Sequence, residues 1–281
     1  MEIIRKIGRA REQCRRYRDA GERIVLVPTM GALHEGHLSL IRKAREIADR
    51  IVVSIFVNPL QFGSEEDYQR YPKPVAGDVE VCDREGADLV FHPEVADLYP
   101  DGFSTFVVVE KVSENLCGKQ RPDHFRGVAT VVLKLINIFQ PEFAVFGQKD
   151  FQQSVVIRRL VRDLNLPTEV VVCPIVRESD GLAVSSRNRY LSSEERRAAA
   201  VIFRALSRAE TLAREGEKSA RRIEEEIRAV LESEPLVKGE YIALTDADDL
   251  QPTRRLKGKV LVALAARVGT TRLIDNLILD I

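Results

Sequence analysis

The stretch IVLVPTMGALHEGHLSLIRKAREIADRIVVSIFV, residues 24–57, decides the fold. It opens on an apolar run, Ile24–Val27, that stops at Pro28. A glycine-bearing loop follows, and then Leu38, Ile41, Ala44, Ile47 and Ala48 recur at helical spacing. Ile51–Val57 is an unbroken, mostly β-branched run, as a strand buried on both faces requires. Strand, helix, strand in that order predicts a parallel sheet with crossover helices.

The alternation continues on both sides. Downstream, residues 58–75 carry Pro59, Gly63, Pro72 and Pro74 and read as loop. Then come a helix over about 75–86, a strand at Leu89–Phe91 and another at Val107–Val109. A buried helix over 128–139 and strand 143–146 follow, then helix 151–163 and strand 170–172. Upstream, Ile3, Ile7, Ala10, Cys14 and Tyr17 fall at helical spacing, with Glu2, Glu12 and Asp19 interspersed. That pattern predicts a permanent amphipathic helix rather than a cleaved, Arg-rich leader. After Pro174 the pattern changes. Ser192 followed by Glu195 is a capping box, expected to open a helix over 193–214. A second helix over 219–232 and strand-like runs at 240–244, 260–267 and 273–279 complete the chain. The expectation is an α/β protein: a Rossmann-like parallel-sheet domain over 1–175 and a smaller α+β domain over 176–281.

Composition narrows the function. The chain has 281 residues, and 43 basic side chains cancel 43 acidic ones, leaving no basic footprint for a nucleic-acid partner. No apolar run approaches the roughly 18 residues of a membrane span; the run over 128–139 is interrupted by Lys134. Cys14, Cys82, Cys117 and Cys173 form no C-x-x-C, so neither a zinc site nor a disulfide framework is indicated, and a reducing cytoplasm is the expected compartment.

Four segments carry candidate chemistry. In VPTMGALHEGH, residues 27–37, a strand ends, a loop holds Gly31 and Gly36, and a helix begins. Free backbone N–H groups and a helix N-terminus then face one spot, which favours phosphate. His34 and His37, three apart, share a face of the opening turn; helix-capping, core or metal-binding histidines are the plainer alternatives. In FGQKDFQQ, residues 146–153, Gly147 permits close backbone approach, Lys149 can neutralise phosphate, Asp150 can accept from ribose hydroxyls, and Gln153 lies one turn on. A solvated helix start would look the same. In VSSRN, residues 184–188, two hydroxyls and Arg187 suit a polyphosphate, although a serine turn explains them equally well. In NPLQF, residues 58–62, Gln61 follows the strongest strand, where ligands of open α/β sheets sit; the alternative is a turn glutamine.

The histidine loop together with the Ser-Ser-Arg loop resembles the HIGH and KMSKS pair of class I synthetases and nucleotidyltransferases. Within that superfamily, PTMGALHEGHLSLI, FVNPLQF, YPDG, HFRGV, FGQKDFQQ and SSRNRYL look like the pantoate–β-alanine ligase family, in order and in spacing. The resemblance is strong over residues 24–191; one departure is Val184, where methionine is commoner. It implies joining of pantoate to β-alanine, with ATP converted to AMP and pyrophosphate through an acyl adenylate. It further implies that Met30, Gly31, Ala32, Leu33, His34, Glu35, Gly36 and His37 contact ATP, with His37 the proton donor and His34 sharing the α-phosphate. Gly147, Gln148, Lys149 and Asp150 would hold the nucleotide, Lys149 on phosphates; Val176 would touch adenine, and Val184, Ser185, Ser186 and Arg187 would close over the triphosphate. Gln61 and Gln153 would hold pantoate, and Gln61 would also reach β-alanine. Mg²⁺ is implied with ATP, carried chiefly by phosphates, with Asp78 a candidate protein ligand whose alternative role is a helix N-terminal charge. A homodimer is implied, and Phe103–Val109 is the segment expected to form part of it. The loop 58–75 and the small C-terminal domain are candidate lids. The rival readings are an adenylyltransferase that keeps the nucleotidyl group on its product and a non-catalytic nucleotide sensor.

Overall fold

The apolar runs of the first 175 residues fold as the strands of one sheet. The computed structural model describes residues 1–63, 68–69 and 71–281, and its chain divides into two units. Met1–Gly147 and Val156–Pro174 make the first; Gln148–Val155 and Ile175–Ile281 make the second.

In chain order the elements are β1 (Glu2–Ile4), α1 (Ile7–Asp19), β2 (Ile24–Thr29), α2 (Glu35–Ile47), β3 (Arg50–Ile55), α3 (Val75–Arg84) and β4 (Leu89–Phe91). Two single-turn helices, α4 (Val95–Leu98) and α5 (Cys117–Gln120), precede α6 (His124–Phe139), β5 (Phe143–Gly147), α7 (Phe151–Asp163) and β6 (Glu169–Cys173). The strands lie in the order β1-β4-β3-β2-β5-β6, and every pair is parallel. The order reverses between β2 and β5, so the topological switch point, where such sheets bind ligands, lies beyond their carboxyl ends. One face of the sheet is covered by α2, whose Leu40, Ile41 and Ala44 pack with Val25, Val27, Val53 and Val90. Elsewhere in the core the Phe91 and Phe139 rings meet edge to face at 5.2 Å. Each such side chain contributes roughly 1.5–3 kcal/mol on burial.

The second unit carries α8 (Ser193–Ala198), α9 (Val201–Arg214), α10 (Ala220–Glu232) and an antiparallel sheet β7-β8-β9 of Val237–Asp246, Lys259–Val268 and Thr271–Asp280. Alternate residues of β8, Val260, Val262, Leu264, Ala266 and Val268, share one core with Ile202, Leu206, Ile223, Ile227 and Leu231 of α9 and α10. That is period two meeting period 3.6.

Four expectations are corrected. Ile3 belongs to β1, not to the first helix: Glu2 N–H donates to the Asp88 carbonyl and the Ile4 carbonyl accepts from His92, 2.9 Å each, so the helix starts only at Ile7. Val107–Val109 forms no strand, because the Val107 N–H is taken by the Thr130 hydroxyl at 3.0 Å instead of by a ladder. The helix expected over 193–214 opens on its capping box, with both reciprocal bonds present. It breaks at Ala199–Ala200, where the N–H groups of Ala200 and Ile202 reach back three residues instead of four. Finally, Gln148–Val155 groups with the second unit. Among the described residues, no helix is long and apolar enough to cross a membrane.

Candidate active site

The loop after β2 is held from three sides. The Thr29 hydroxyl donates to the Ser54 carbonyl at 2.8 Å and accepts from Gly31 N–H at 3.2 Å. Asp78, buried in the first turn of α3, accepts from Ala32 N–H and Leu33 N–H, one on each carboxylate oxygen, both at 2.8 Å. Gly31 has φ +77°, and a Cβ there would lie 2.8 Å from the Asp78 carboxylate, so the turn requires glycine. Ala32 also takes a left-handed φ of +51°, a conformation that surrounding bonds must enforce.

That loop delivers the histidines. His34 is the N-cap residue of α2, in extended conformation, and its carbonyl accepts from His37 N–H at 2.7 Å and Leu38 N–H at 3.1 Å. The imidazoles stand 4.1 Å apart, inclined at 39°, at the positive end of the helix. The side chain of Glu35 is engaged by Arg42, so its place in the loop is a backbone one.

Gln61 lies in a single turn, Pro59–Gln61, after β3. It is buried; its Nε2 meets Met30 Sδ at 3.1 Å and its Oε1 accepts from Asn58 Nδ2 at 3.0 Å. Asn58 in turn donates to the Gly127 carbonyl at 3.1 Å and accepts from the Tyr99 hydroxyl at 2.9 Å. The Gln61 carbonyl accepts from His124 Nδ1 at 2.8 Å and Arg121 at 3.1 Å. Gly127 closes the arrangement, for a Cβ there would overlap the Leu60 carbonyl. Burial pushes the Tyr99 phenol well above its ordinary range, so it stays a neutral donor. None of Asn58, Tyr99, Arg121, His124 and Gly127 is legible as a support for Gln61 from spacing alone; the motifs YPDG and HFRGV mark three of them without saying what they touch.

Between the histidine loop and β4 lies a cavity of about 190 Å³, lined among others by Met30, Gly31, Phe56, Lys73, His92 and Glu94. It lies beyond the carboxyl ends of β2, β3 and β4, beside the β2–β5 switch point rather than at it. His92 is fixed there by its Nδ1, which donates to the Ile55 carbonyl at 2.8 Å.

Asp78 borders the same cavity, yet both of its oxygens are committed to the loop. Among the described residues no group of three or more His, Cys, Asp or Glu could hold a metal ion. The donor set therefore does not fit a resident metal caged by protein, and the first role of Asp78 is to shape residues 31–33.

In the second unit, Gln148–Asp150 forms one tight turn ahead of α7, with Gln153 half-buried in the first turn of that helix. Val176 and Val184 are brought together: the Val184 N–H donates to the Val176 carbonyl at 3.0 Å, beside the bridge Arg177–Ala183. Ser185 caps the following turn, accepting from Arg187 N–H at 3.3 Å, and Ser186 is buried. In the first unit, Gly147 ends β5 beside Cys173.

Comparison with known proteins supplies the context. A family model described as pantoate-beta-alanine ligase matches residues 2–278. A pantothenate synthetase of Caldicellulosiruptor saccharolyticus is 49% identical over 281 residues, the full length of both chains. One of Thermoanaerobacter pseudethanolicus is 51% identical over 278 residues, 99% of this chain and 98% of the other. The crystal structure of pantothenate synthetase from Thermus thermophilus superposes with a TM-score of 0.94 at 43% identity, covering 99% of each chain. That of the pantoate-beta-alanine ligase from Francisella tularensis, complexed with beta-gamma ATP and beta-alanine, gives 0.80 at 35% identity, covering 99% and 97%. With a pinned histidine loop, a braced Gln61 and half of its residues shared with such relatives along its whole length, the chain belongs to the pantoate–β-alanine ligase family.

Proposed function

We propose that the chain condenses pantoate with β-alanine at the expense of ATP, giving pantothenate, AMP and pyrophosphate. The observation that carries this is the pair of imidazoles at the amino end of α2, 4.1 Å apart, in a family member matched from residue 2 to residue 278. A carboxylate is a poor acyl donor. In the first step a pantoate carboxylate oxygen bonds to the α-phosphorus of ATP while the bond from that phosphorus to the bridging oxygen breaks, and pyrophosphate leaves. In the second step the β-alanine nitrogen attacks the acyl carbon of the adenylate, the acyl carbon–oxygen bond breaks, and AMP leaves. Both steps reward positioning and stabilisation of charge on phosphate oxygens.

The assignment of roles follows the family motif. His37 donates to the α-phosphate and His34 shares it; an imidazole, with an ordinary pKa of about 6.5, needs little stabilisation to be cationic near neutrality. The backbone of Met30–His37, with Gly147, Gln148, Asp150, Val176 and Val184, holds the nucleotide. Lys149, Ser185, Ser186 and Arg187 neutralise the triphosphate. Gln61 and Gln153 hold pantoate, amides offering both donors and acceptors to its hydroxyls and carboxylate. Mg²⁺ enters as part of the nucleotide substrate, its ligands chiefly phosphate oxygens and water. The N-terminal domain is assigned ATP and pantoate, and the C-terminal domain the part of a lid.

A homodimer that uses Phe103–Val109 belongs to the proposal. Its support is exposed apolar surface there, Val108 at 61% and Phe106 at 36%. So does a cytoplasmic location, supported by four buried cysteines that form no disulfide framework. Incubation with ATP, pantoate and β-alanine, followed by product analysis, tests the chemistry. Free AMP and pantothenate in equal amounts are expected. A stable adenylylated product would show an adenylyltransferase, and no turnover would leave only a nucleotide sensor.

A further inference from the structure

Asn276, at the middle of β9, makes bonds that its own sheet does not need. Its Nδ2 donates to the carbonyls of Gln148 and Lys149, 3.0 Å each, and its Oδ1 accepts from Gln148 Nε2 at 3.3 Å. One side chain thus satisfies two consecutive carbonyls of the Gln148–Asp150 turn, 127 and 128 residues away. The side chain is almost wholly buried, where such bonds are expensive to lose.

The neighbouring residue extends the arrangement. Asp275, also buried, accepts Asn276 N–H at 2.8 Å and forms a two-pronged pair with Arg177, at 2.6 and 3.0 Å. Arg177 donates further to the Gly181 carbonyl at 2.9 Å and lies 4.4 Å over the Phe203 ring. It follows Val176 in the chain and itself makes the strand bridge to Ala183, the residue before Val184–Arg187. Burial pushes the Asp275 carboxyl upward, and Arg177, the Asn276 N–H and the charge of Lys149 draw it back. Three segments assigned to the nucleotide, Gln148–Asp150, Val176 and Val184–Arg187, are therefore tied to one pair of adjacent residues on β9. The Asp275 carboxylate is buried while the guanidinium is partly exposed, so removing Arg177 would leave a buried charge uncompensated.

We infer that Asn276, backed by the Asp275–Arg177 pair, is a positioning residue that sets the Lys149 turn for ATP. The inference rests on the assignment of that turn to the nucleotide. Asn276→Asp keeps the shape but turns an oxygen toward two carbonyls, and Asn276→Ala removes both bonds. Each is expected to raise the KM for ATP, and the Kd for ATP by calorimetry, about tenfold or more. The KM for β-alanine should stay within about twofold, because β-alanine reacts after adenylation is complete. An ATP KM unchanged in both variants would overturn the inference. So would a matched fall of every kinetic constant together with the melting temperature, the mark of a merely structural role. If neither variant folds, Arg177→Lys decides: it keeps the charge and loses the two-pronged grip. A rise of about threefold or more in ATP KM supports the inference, and a wild-type value overturns it. Wild-type protein that binds ATP but forms no pantothenate would refute the assigned reaction and leave the calorimetric test of Asn276 standing. Wild-type protein that does not bind ATP would refute both.

Discussion

A buried carboxylate is costly unless its oxygens find donors. Asp78 finds two, the N–H groups of Ala32 and Leu33, and so fixes the loop that presents His34 and His37. Asp78→Ala is expected to destabilise the fold by about 1.5–3 kcal/mol, seen as a lower melting temperature, and an unchanged melting temperature would refute this role. The companion expectation concerns metal. Magnesium without nucleotide should leave the wild-type melting temperature unchanged, since Asp78 is committed to backbone. A shift that disappears in Asp78→Asn would instead establish a resident ion. The histidines were legible in the sequence because their spacing is local. The place of Asp78 was not, because its partners lie 45 and 46 residues away and a carboxylate paired to backbone leaves no side-chain pattern.

At the scale of the elements, the turn Pro59–Gln61 depends on α6. Gly127 lets the helix lie against the Leu60 carbonyl, where a Cβ would overlap it. Gly127→Ala should therefore cost about 1–3 kcal/mol by overpacking and displace Gln61, raising the KM for pantoate more than that for ATP. Equal effects on the two substrates would argue against a Gln61 site for pantoate. Long periodic segments were legible here: β2, α2, β3, α6 and α7 all lie where apolar spacing puts them. Short ones were legible in part: β4 lies at Leu89–Phe91, as its apolar run and the following Pro93 suggest, whereas β1, also of three residues, was hidden because Ile3 mimics a helical position. Val107–Val109 has strand composition, but its edge is answered by a hydroxyl of α6, a choice made by packing rather than by propensity.

For the whole molecule, the parallel sheet followed by a small α+β domain of helices and then strands was readable from the order of apolar periods. That Gln148–Val155 groups with the second unit was not, since the bonds to its first two residues come from Asn276 near the end of the chain. The assembly is testable at this scale. Light scattering should give about twice the chain mass, and Val108→Glu, which places a charge on exposed apolar surface, should shift the protein toward monomer; a wild-type monomer contradicts the dimer. If an acid is activated on the α-phosphate beside the two imidazoles, labelled pyrophosphate must exchange into ATP without any β-alanine. That exchange should require pantoate and fall ~10²-fold in His37→Ala, as for loss of one charge-stabilising donor. Exchange that ignores pantoate, or a His37→Ala rate equal to wild type, would rule out activation of the acid at this place.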